Sequence, residues 1–317
     1  MDGNEYSVCP RLVGCWYLTG PTASGKTRLG LDLARRLNAE IISLDSMAVY
    51  RQMDIGTAKP TAAERSEVRH HLLDLIEPGE EFSLASYMRL AREAAAEIRQ
   101  RGREVLFVGG TPLYLKGVLR GIFDGPGADE AFRADMTRLE HVHGLGYLHQ
   151  RLIELDPVTA ARLHPNDLRR IIRALEVREK TGRPISFFQR QFDRIPTFDE
   201  AKVFVLDWNR EQLYARINRR VDLMMEQGLL AEVRALLDRN LSLGRTASQA
   251  VGYRELISYL HGQISLDTAV DLIKQKTRNF AKSQGTWFRS LPECHFIAMN
   301  DERTTDNILD EIMSVTA

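Results

Sequence analysis

Apolar residues follow two periods along the chain. Short unbroken apolar runs alternate with longer stretches in which leucine or alanine recurs every three or four residues, the periods of buried strands and of helices packed on one face. Leu12 to Leu18 is the first run and stops at Thr19-Gly20, and Thr27 to Leu37 follows with helical spacing through Leu29, Leu33 and Leu37. The pattern predicts strand, loop, helix. Ile41-Ile42-Ser43-Leu44 predicts a second buried strand ending at Asp45, and Val105-Leu106-Phe107-Val108 a third ending at Gly109-Gly110-Thr111, with a helix over Leu84 to Arg101 between them. Such alternation predicts an α/β fold: a parallel sheet covered by helices, with ligands at the carboxyl ends of the strands. Asp45 and Thr111 then lie on one ligand rim.

After Gly121-Ile122-Phe123-Asp124-Gly125-Pro126-Gly127 the pattern changes, and residues 129–195 hold helical spacing with no convincing strand. This predicts a helical insertion domain between core segments 1–128 and 196–317. Val203-Phe204-Val205-Leu206 returns to strand composition, helical spacing runs from Glu211 to Asp238, Ala247 to Leu260 and Leu266 to Phe288, and His295-Phe296-Ile297-Ala298 predicts a last strand.

Composition narrows the function classes. The 317 residues carry 43 basic and 43 acidic side chains, so no global field draws the chain to polyanions and any such site must be local. Cys9, Cys15 and Cys294 are an odd number at spacings that match neither a disulfide framework nor a metal knuckle, which fits a reducing, cytoplasmic setting. The acidic N-terminus lacks the features of a secretory signal, and no apolar run approaches the roughly 20 residues that span a bilayer.

The first predicted turn carries chemistry. Gly20-Pro21-Thr22-Ala23-Ser24-Gly25-Lys26-Thr27 matches the phosphate-loop pattern between a strand and a helix. Glycines let successive N–H groups point at phosphate oxygens, the helix N-terminus adds partial positive charge, Lys26 adds a full charge, and Thr27 offers a hydroxyl to Mg²⁺ or to the phosphates. Kinases, NTPases and some transferases share this loop. The strand 105–108 ends in Gly109-Gly110-Thr111 and not in a metal-organising acid, and the carboxylate lies in Leu44-Asp45-Ser46. A hydrolase reading loses ground, while a small-molecule kinase and a non-catalytic RNA-binding module stay open.

Three further stretches make the pattern specific: Asp45-Ser46-Met47-Ala48-Val49-Tyr50 running on to Gly56-Thr57-Ala58-Lys59-Pro60, Val108-Gly109-Gly110-Thr111-Pro112-Leu113-Tyr114, and His164-Pro165-Asn166-Asp167 before Arg173-Ala174-Leu175-Glu176-Val177. With the loop they resemble the tRNA dimethylallyltransferase (tRNA isopentenyltransferase) family, and Arg216-Ile217, Ala250-Val251-Gly252-Tyr253-Arg254-Glu255 and Lys282-Ser283-Gln284-Gly285-Thr286-Trp287 agree. The resemblance spans residues 14 to 290. It implies a P-loop kinase-like core, dimethylallyl diphosphate and a tRNA anticodon stem-loop as substrates, Mg²⁺ as cofactor, a monomer, and transfer to N6 of the adenosine at tRNA position 37.

The resemblance also implies roles. Gly20 to Thr27 hold the diphosphate, Lys26, Thr27 and Arg216 stabilise its departure, and Asp45 is the general base for an amine whose lone pair is delocalised. Asp45, Ser46, Met47, Ala48, Thr111, Arg133, Arg169, Arg170, Arg173, Ser248, Gly252, Tyr253, Arg254, Lys282 and Arg289 contact tRNA. Lys274, Lys276, Arg278, Lys282 and Arg289 fall in a stretch without an acid, suited to salt-dependent backbone contacts. Ser283 and Gly285 depart from the family's usual basic and bulkier residues, which lowers the expected local RNA affinity. With no Cys/His zinc-finger pattern in these 317 residues of the kind many eukaryotic members carry, the resemblance implies a bacterial-type short form.

Overall fold

The computed structural model describes residues 8–189, 194–238 and 243–316. The chain forms two compact units, one of Arg120–Ile195 with the N-terminal residues up to Arg11, the other of Leu12–Leu119 with Pro196–Ala317.

The larger unit is built on a six-stranded sheet. Taking the strands in chain order as β1 (Val8–Cys9), β2 (Cys15–Thr19), β3 (Ala39–Ser43), β4 (His70–His71), β5 (Glu104–Val108), β6 (Ile122–Phe123), β7 (Ala201–Trp208) and β8 (Cys294–Met299), the sheet order is β4-β3-β5-β2-β7-β8. Every neighbouring pair is parallel. All five residues of β2 and of β3 are buried, as strands covered on both faces require. Trp16, Leu18, Leu29, Leu33, Ile41, Leu106, Phe204, Leu206 and Ile297 make one core with Ile308, Leu309 and Ile312. Each fully buried leucine or isoleucine there contributes about 1.5–3 kcal/mol of transfer free energy.

A second cluster packs Val49, Tyr50 and Met53 against Val221, Leu229, Val233, Tyr253, Leu256 and Ile273. It seats the segment after β3 on the C-terminal helices. Glu232 reinforces the joint: its carboxylate accepts the N–H groups of Asp54, Ile55 and Gly56 and the Tyr253 hydroxyl at 2.6 Å.

In the smaller unit β1 pairs antiparallel with β6, and the rest is helical: Glu130–His143, Tyr147–Leu155, Pro157–Ala160, Leu168–Thr181 and Ile185–Phe188. Leu148, Leu152, Ile171, Leu175, Val177 and Phe188 form its core.

Three sequence-based boundaries shift, each at a glycine with positive φ. The first sheet strand starts at Cys15 and not Leu12, after Gly14 at φ 63. The run Glu211 to Asp238 is two helices, Arg210–Glu226 and Leu229–Asp238, separated by Gly228 at φ 100, and Ala247 to Leu260 is split by Gly252 at φ 99. A left-handed residue ends the hydrogen-bond ladder whatever the apolar period on either side.

Candidate active site

The phosphate loop runs from β2 into the helix Lys26–Leu37, whose N-cap, Gly25, is left-handed at φ 95 and offers no side-chain cap. The first N–H groups of that helix are therefore not satisfied by a cap, as an anion site requires. Gly20, at φ 143, has no room for a side chain, since a Cβ there would lie 2.9 Å from the Leu206 carbonyl oxygen. The loop is braced from behind: Trp208 Nε1 donates to Ser24 O at 2.9 Å, and Arg216 Nε donates to Ala23 O at 3.1 Å while its guanidinium sits 4.1 Å over the Trp208 ring and 3.4 Å from Asp301.

Lys26 folds back over the loop. Its ammonium donates to Gly20 O at 2.9 Å, Pro21 O at 2.7 Å and Ser24 Oγ at 3.4 Å. Burial first, and the Arg220 guanidinium second, pull its pKa down to about 7, while Asp45 pulls the other way. Arg220 is itself depressed by burial and drawn back by Asp45, and its guanidinium makes no hydrogen bond or ion pair among the described residues. Asp45 is thus the carboxylate that favours the charged form of both cations. Arg220 was missed in the sequence, although it lies one helical turn from Arg216, and i, i+4 spacing puts both on one face.

The opposite rim is held as tightly. Asp45 follows β3, and one of its carboxylate oxygens accepts the Met47 N–H at 2.8 Å. Thr111 Oγ1 accepts the Ser46 N–H at 3.1 Å and Thr111 N donates to Leu44 O at 3.1 Å. Gly109 is obligatory, because a Cβ there would lie 2.3 Å from the Leu44 carbonyl oxygen. The structure thus brings together the loop, Lys26, Asp45 and Thr111 within one unit. Thr27 is half-buried and its hydroxyl makes no hydrogen bond among the described residues. With Asp45 it offers hard oxygen donors to a divalent cation. A hard divalent cation that keeps waters and takes phosphate oxygens needs few protein ligands, and no group of three or more His, Cys, Asp or Glu among the described residues could cage a metal.

The residues assigned to RNA divide by exposure. Arg169 and Lys282 are exposed and form no ion pair among the described residues. Arg170 pairs with Asp167 at 2.9 Å, Arg289 with Asp207 at 3.0 Å, and Arg254 bonds to Gln249 at 3.1 Å. Arg133 and Arg173 both grip the fully buried Glu176, at 3.0 and 2.6 Å, so their first role is to neutralise a buried carboxylate. Ser248 caps back onto Arg245 O. Tyr253, Ala48 and Gly252 are buried, and the Tyr253 hydroxyl donates to Glu232 at 2.6 Å.

The acid-free basic stretch is less basic than it reads. Lys274 meets Asp222 at 2.6 Å and Lys276 meets Glu255 at 2.7 Å, in addition to the Arg289–Asp207 pair. Acids distant in sequence neutralise cations that have none nearby.

A family profile described as IPP transferase matches residues 48–291. The chain belongs to this family. It is 43% identical over 304 residues to the tRNA dimethylallyltransferase of Caldanaerobacter subterraneus subsp. tengcongensis, covering 95% of this chain and 96% of that one. It is 48% identical over 278 residues to the tRNA dimethylallyltransferase of Syntrophobacter fumaroxidans, covering 87% and 81%. Among solved family structures it is similar to the tRNA isopentenylpyrophosphate transferase of Bacillus halodurans, with TM-score 0.71, 40% identity and 95% of each chain covered. It is also similar to a eukaryotic dimethylallyltransferase caught acting on tRNA, with TM-score 0.76, 26% identity and 94% and 76% covered. The family's P-loop kinase-like fold is the one seen here. No helix among the described residues is long and apolar enough to cross a membrane.

Proposed function

We propose that the protein transfers a dimethylallyl group from dimethylallyl diphosphate to N6 of the adenosine at position 37 of a tRNA, releasing diphosphate. The observation that carries this reading is a phosphate loop with Lys26 folded over it, beside Asp45 and Thr111 at the carboxyl ends of the adjoining strands β3 and β5. A diphosphate fits the first and an amine the second.

In the reaction the bond between the allylic carbon and the diphosphate oxygen breaks with both electrons going to oxygen, and N6 forms the new bond to carbon. The N6 proton passes to Asp45. Charge therefore builds on the diphosphate as the bond breaks, and Lys26, Arg220 and the uncapped N–H groups at the start of the helix Lys26–Leu37 are suited to neutralise it, holding the transition state better than the ground state. Arg216 acts from behind by holding Ala23. Thr27 would hold Mg²⁺, which when bound supplies further neutralisation of the phosphates. Thr111 keeps the Asp45 segment at a fixed distance from the loop, the alignment an in-line displacement requires. Of the described basic residues assigned to RNA, Arg169 and Lys282 are exposed without an ion pair and suited to meet the RNA backbone.

The test is incubation of purified protein with labelled dimethylallyl diphosphate, Mg²⁺ and tRNA that has adenosine at position 37. Label moves to RNA under this reading. Label that stays out of RNA, with ATP turnover in the absence of tRNA, would instead mark a small-molecule kinase.

A further inference from the structure

The Gly109-Gly110-Thr111 turn is held at each residue from a different direction. Thr19, at the end of the loop strand, donates its hydroxyl to Gly109 O at 2.8 Å, and Thr111 is bonded to Leu44 and Ser46 on the acceptor side. The middle residue is held by a side chain that none of the roles above uses. Gln284, 4% exposed on the helix Leu266–Arg289, donates from Nε2 to Gly110 O at 2.5 Å and accepts the Thr22 N–H on Oε1 at 2.9 Å. One buried carboxamide thereby bridges the phosphate loop and the turn that carries Thr111.

We propose that Gln284 is a positioning residue for the transfer step, setting the distance between the departing diphosphate oxygen and the attacking amine. The inference rests on the transfer reading for the reaction it serves. The chemistry of the bridge is selective. Thr22 offers a donor and Gly110 an acceptor, so the spanning group must accept at one end and donate at the other, which among side chains of this length is the glutamine amide. The site admits little else: a Cβ on Gly110 would meet Gln284 Nε2 at 2.8 Å, Gly20 O at 3.2 Å and Lys26 Cε at 3.6 Å. Loop, turn and lysine stem are in contact around the amide. Releasing it lets the loop and the turn move independently, and a misplacement of about 1 Å costs on the order of 100-fold in rate for reacting groups that must be aligned.

The test compares wild type with Gln284→Met, which keeps the volume and removes both hydrogen bonds, and Gln284→Glu, which keeps the acceptor for Thr22 and loses the donor to Gly110. Single-turnover and steady-state transfer are measured together with amide hydrogen exchange at Thr22. Gln284→Met is expected to lower kcat by roughly 10- to 100-fold, with KM for dimethylallyl diphosphate and for tRNA within about threefold, and to expose the Thr22 amide to exchange. Gln284→Glu is expected to lower kcat while the Thr22 amide stays protected, which separates loss of the turn contact from loss of the loop contact. An unchanged kcat in either folded variant, or a rise in KM with kcat preserved, overturns the proposal. Should Gln284→Met not fold, the Gln284→Glu kinetics decide alone. Should wild type transfer no label, the transfer reading fails, and retained Thr22 protection in Gln284→Met would separately overturn the bridge.

Discussion

Lys26 makes diphosphate capture sensitive to pH in a calculable way. In the empty site burial and Arg220 hold its pKa at about 7, against an ordinary value of 10.5. A bound diphosphate places several negative charges beside the ammonium and restores the charged form. Above pH 7 the protein must therefore take up a proton to bind. When affinity follows the protonated fraction, the apparent dissociation constant rises roughly 25-fold from about pH 7.5 to about pH 9, approaching tenfold per unit. A non-reactive diphosphate monoester suits the assay, because its own phosphate protons are largely gone in this range. Calorimetric titration in two buffers of different ionisation enthalpy then reads uptake of nearly one proton per site at about pH 9 and about half a proton at pH 7. Lys26→Arg carries a fixed charge and should abolish both the uptake and the pH dependence. A wild-type affinity that is flat across this range, or no proton uptake at the alkaline end, would refute the reasoning.

Other outcomes follow from the same geometry. In the empty protein the lysine acts against stability: below pH 7 its buried charge costs stability in full, and the cost fades as pH rises towards 10.5 because the folded form has already lost the proton. Lys26→Met should thus raise the melting temperature most below pH 7, as read by calorimetry. Asp45→Asn should leave tRNA affinity near wild type and reduce turnover about 10²- to 10⁴-fold; near-normal turnover removes Asp45 as the base. Arg169→Glu should weaken tRNA binding and flatten its salt slope by about one unit, whereas Tyr253→Phe should cost about 1 kcal/mol of stability through Glu232 and leave tRNA affinity unchanged. Filter binding across a salt series and denaturant melts check the two.

The sheet and its loop were legible because the signals are local. Four buried apolar runs became β2, β3, β5 and β7, and the phosphate loop emerged between a strand and a helix as its glycines require. Two-residue β4 has no periodicity to read, and the helix Thr305–Thr316, whose Ile308, Leu309 and Ile312 join the main core, lies beyond the last stretch to which a pattern was assigned. At the site, residues named by a motif were found, and residues defined by a neighbour were not. Arg220 has no motif of its own and is marked only by its electrostatic coupling to Lys26 and Asp45, and Gln284 acts through two backbone partners, 262 and 174 residues away in sequence. The basic run 274–289 carries less unpaired charge than its sequence suggests, since Asp222, Glu255 and Asp207 reach it only in the folded chain.

The central claim is that one site both grips a leaving diphosphate and presents an RNA amine. Its most direct test is nucleoside analysis of tRNA treated with the protein, Mg²⁺ and dimethylallyl diphosphate, with released diphosphate counted in the same tube. The account predicts one N6-dimethylallyl adenosine, at position 37, for each diphosphate released, and none in tRNA with another base at that position. Diphosphate released without a modified adenosine, or modification at an exocyclic amine elsewhere in the tRNA, would contradict it.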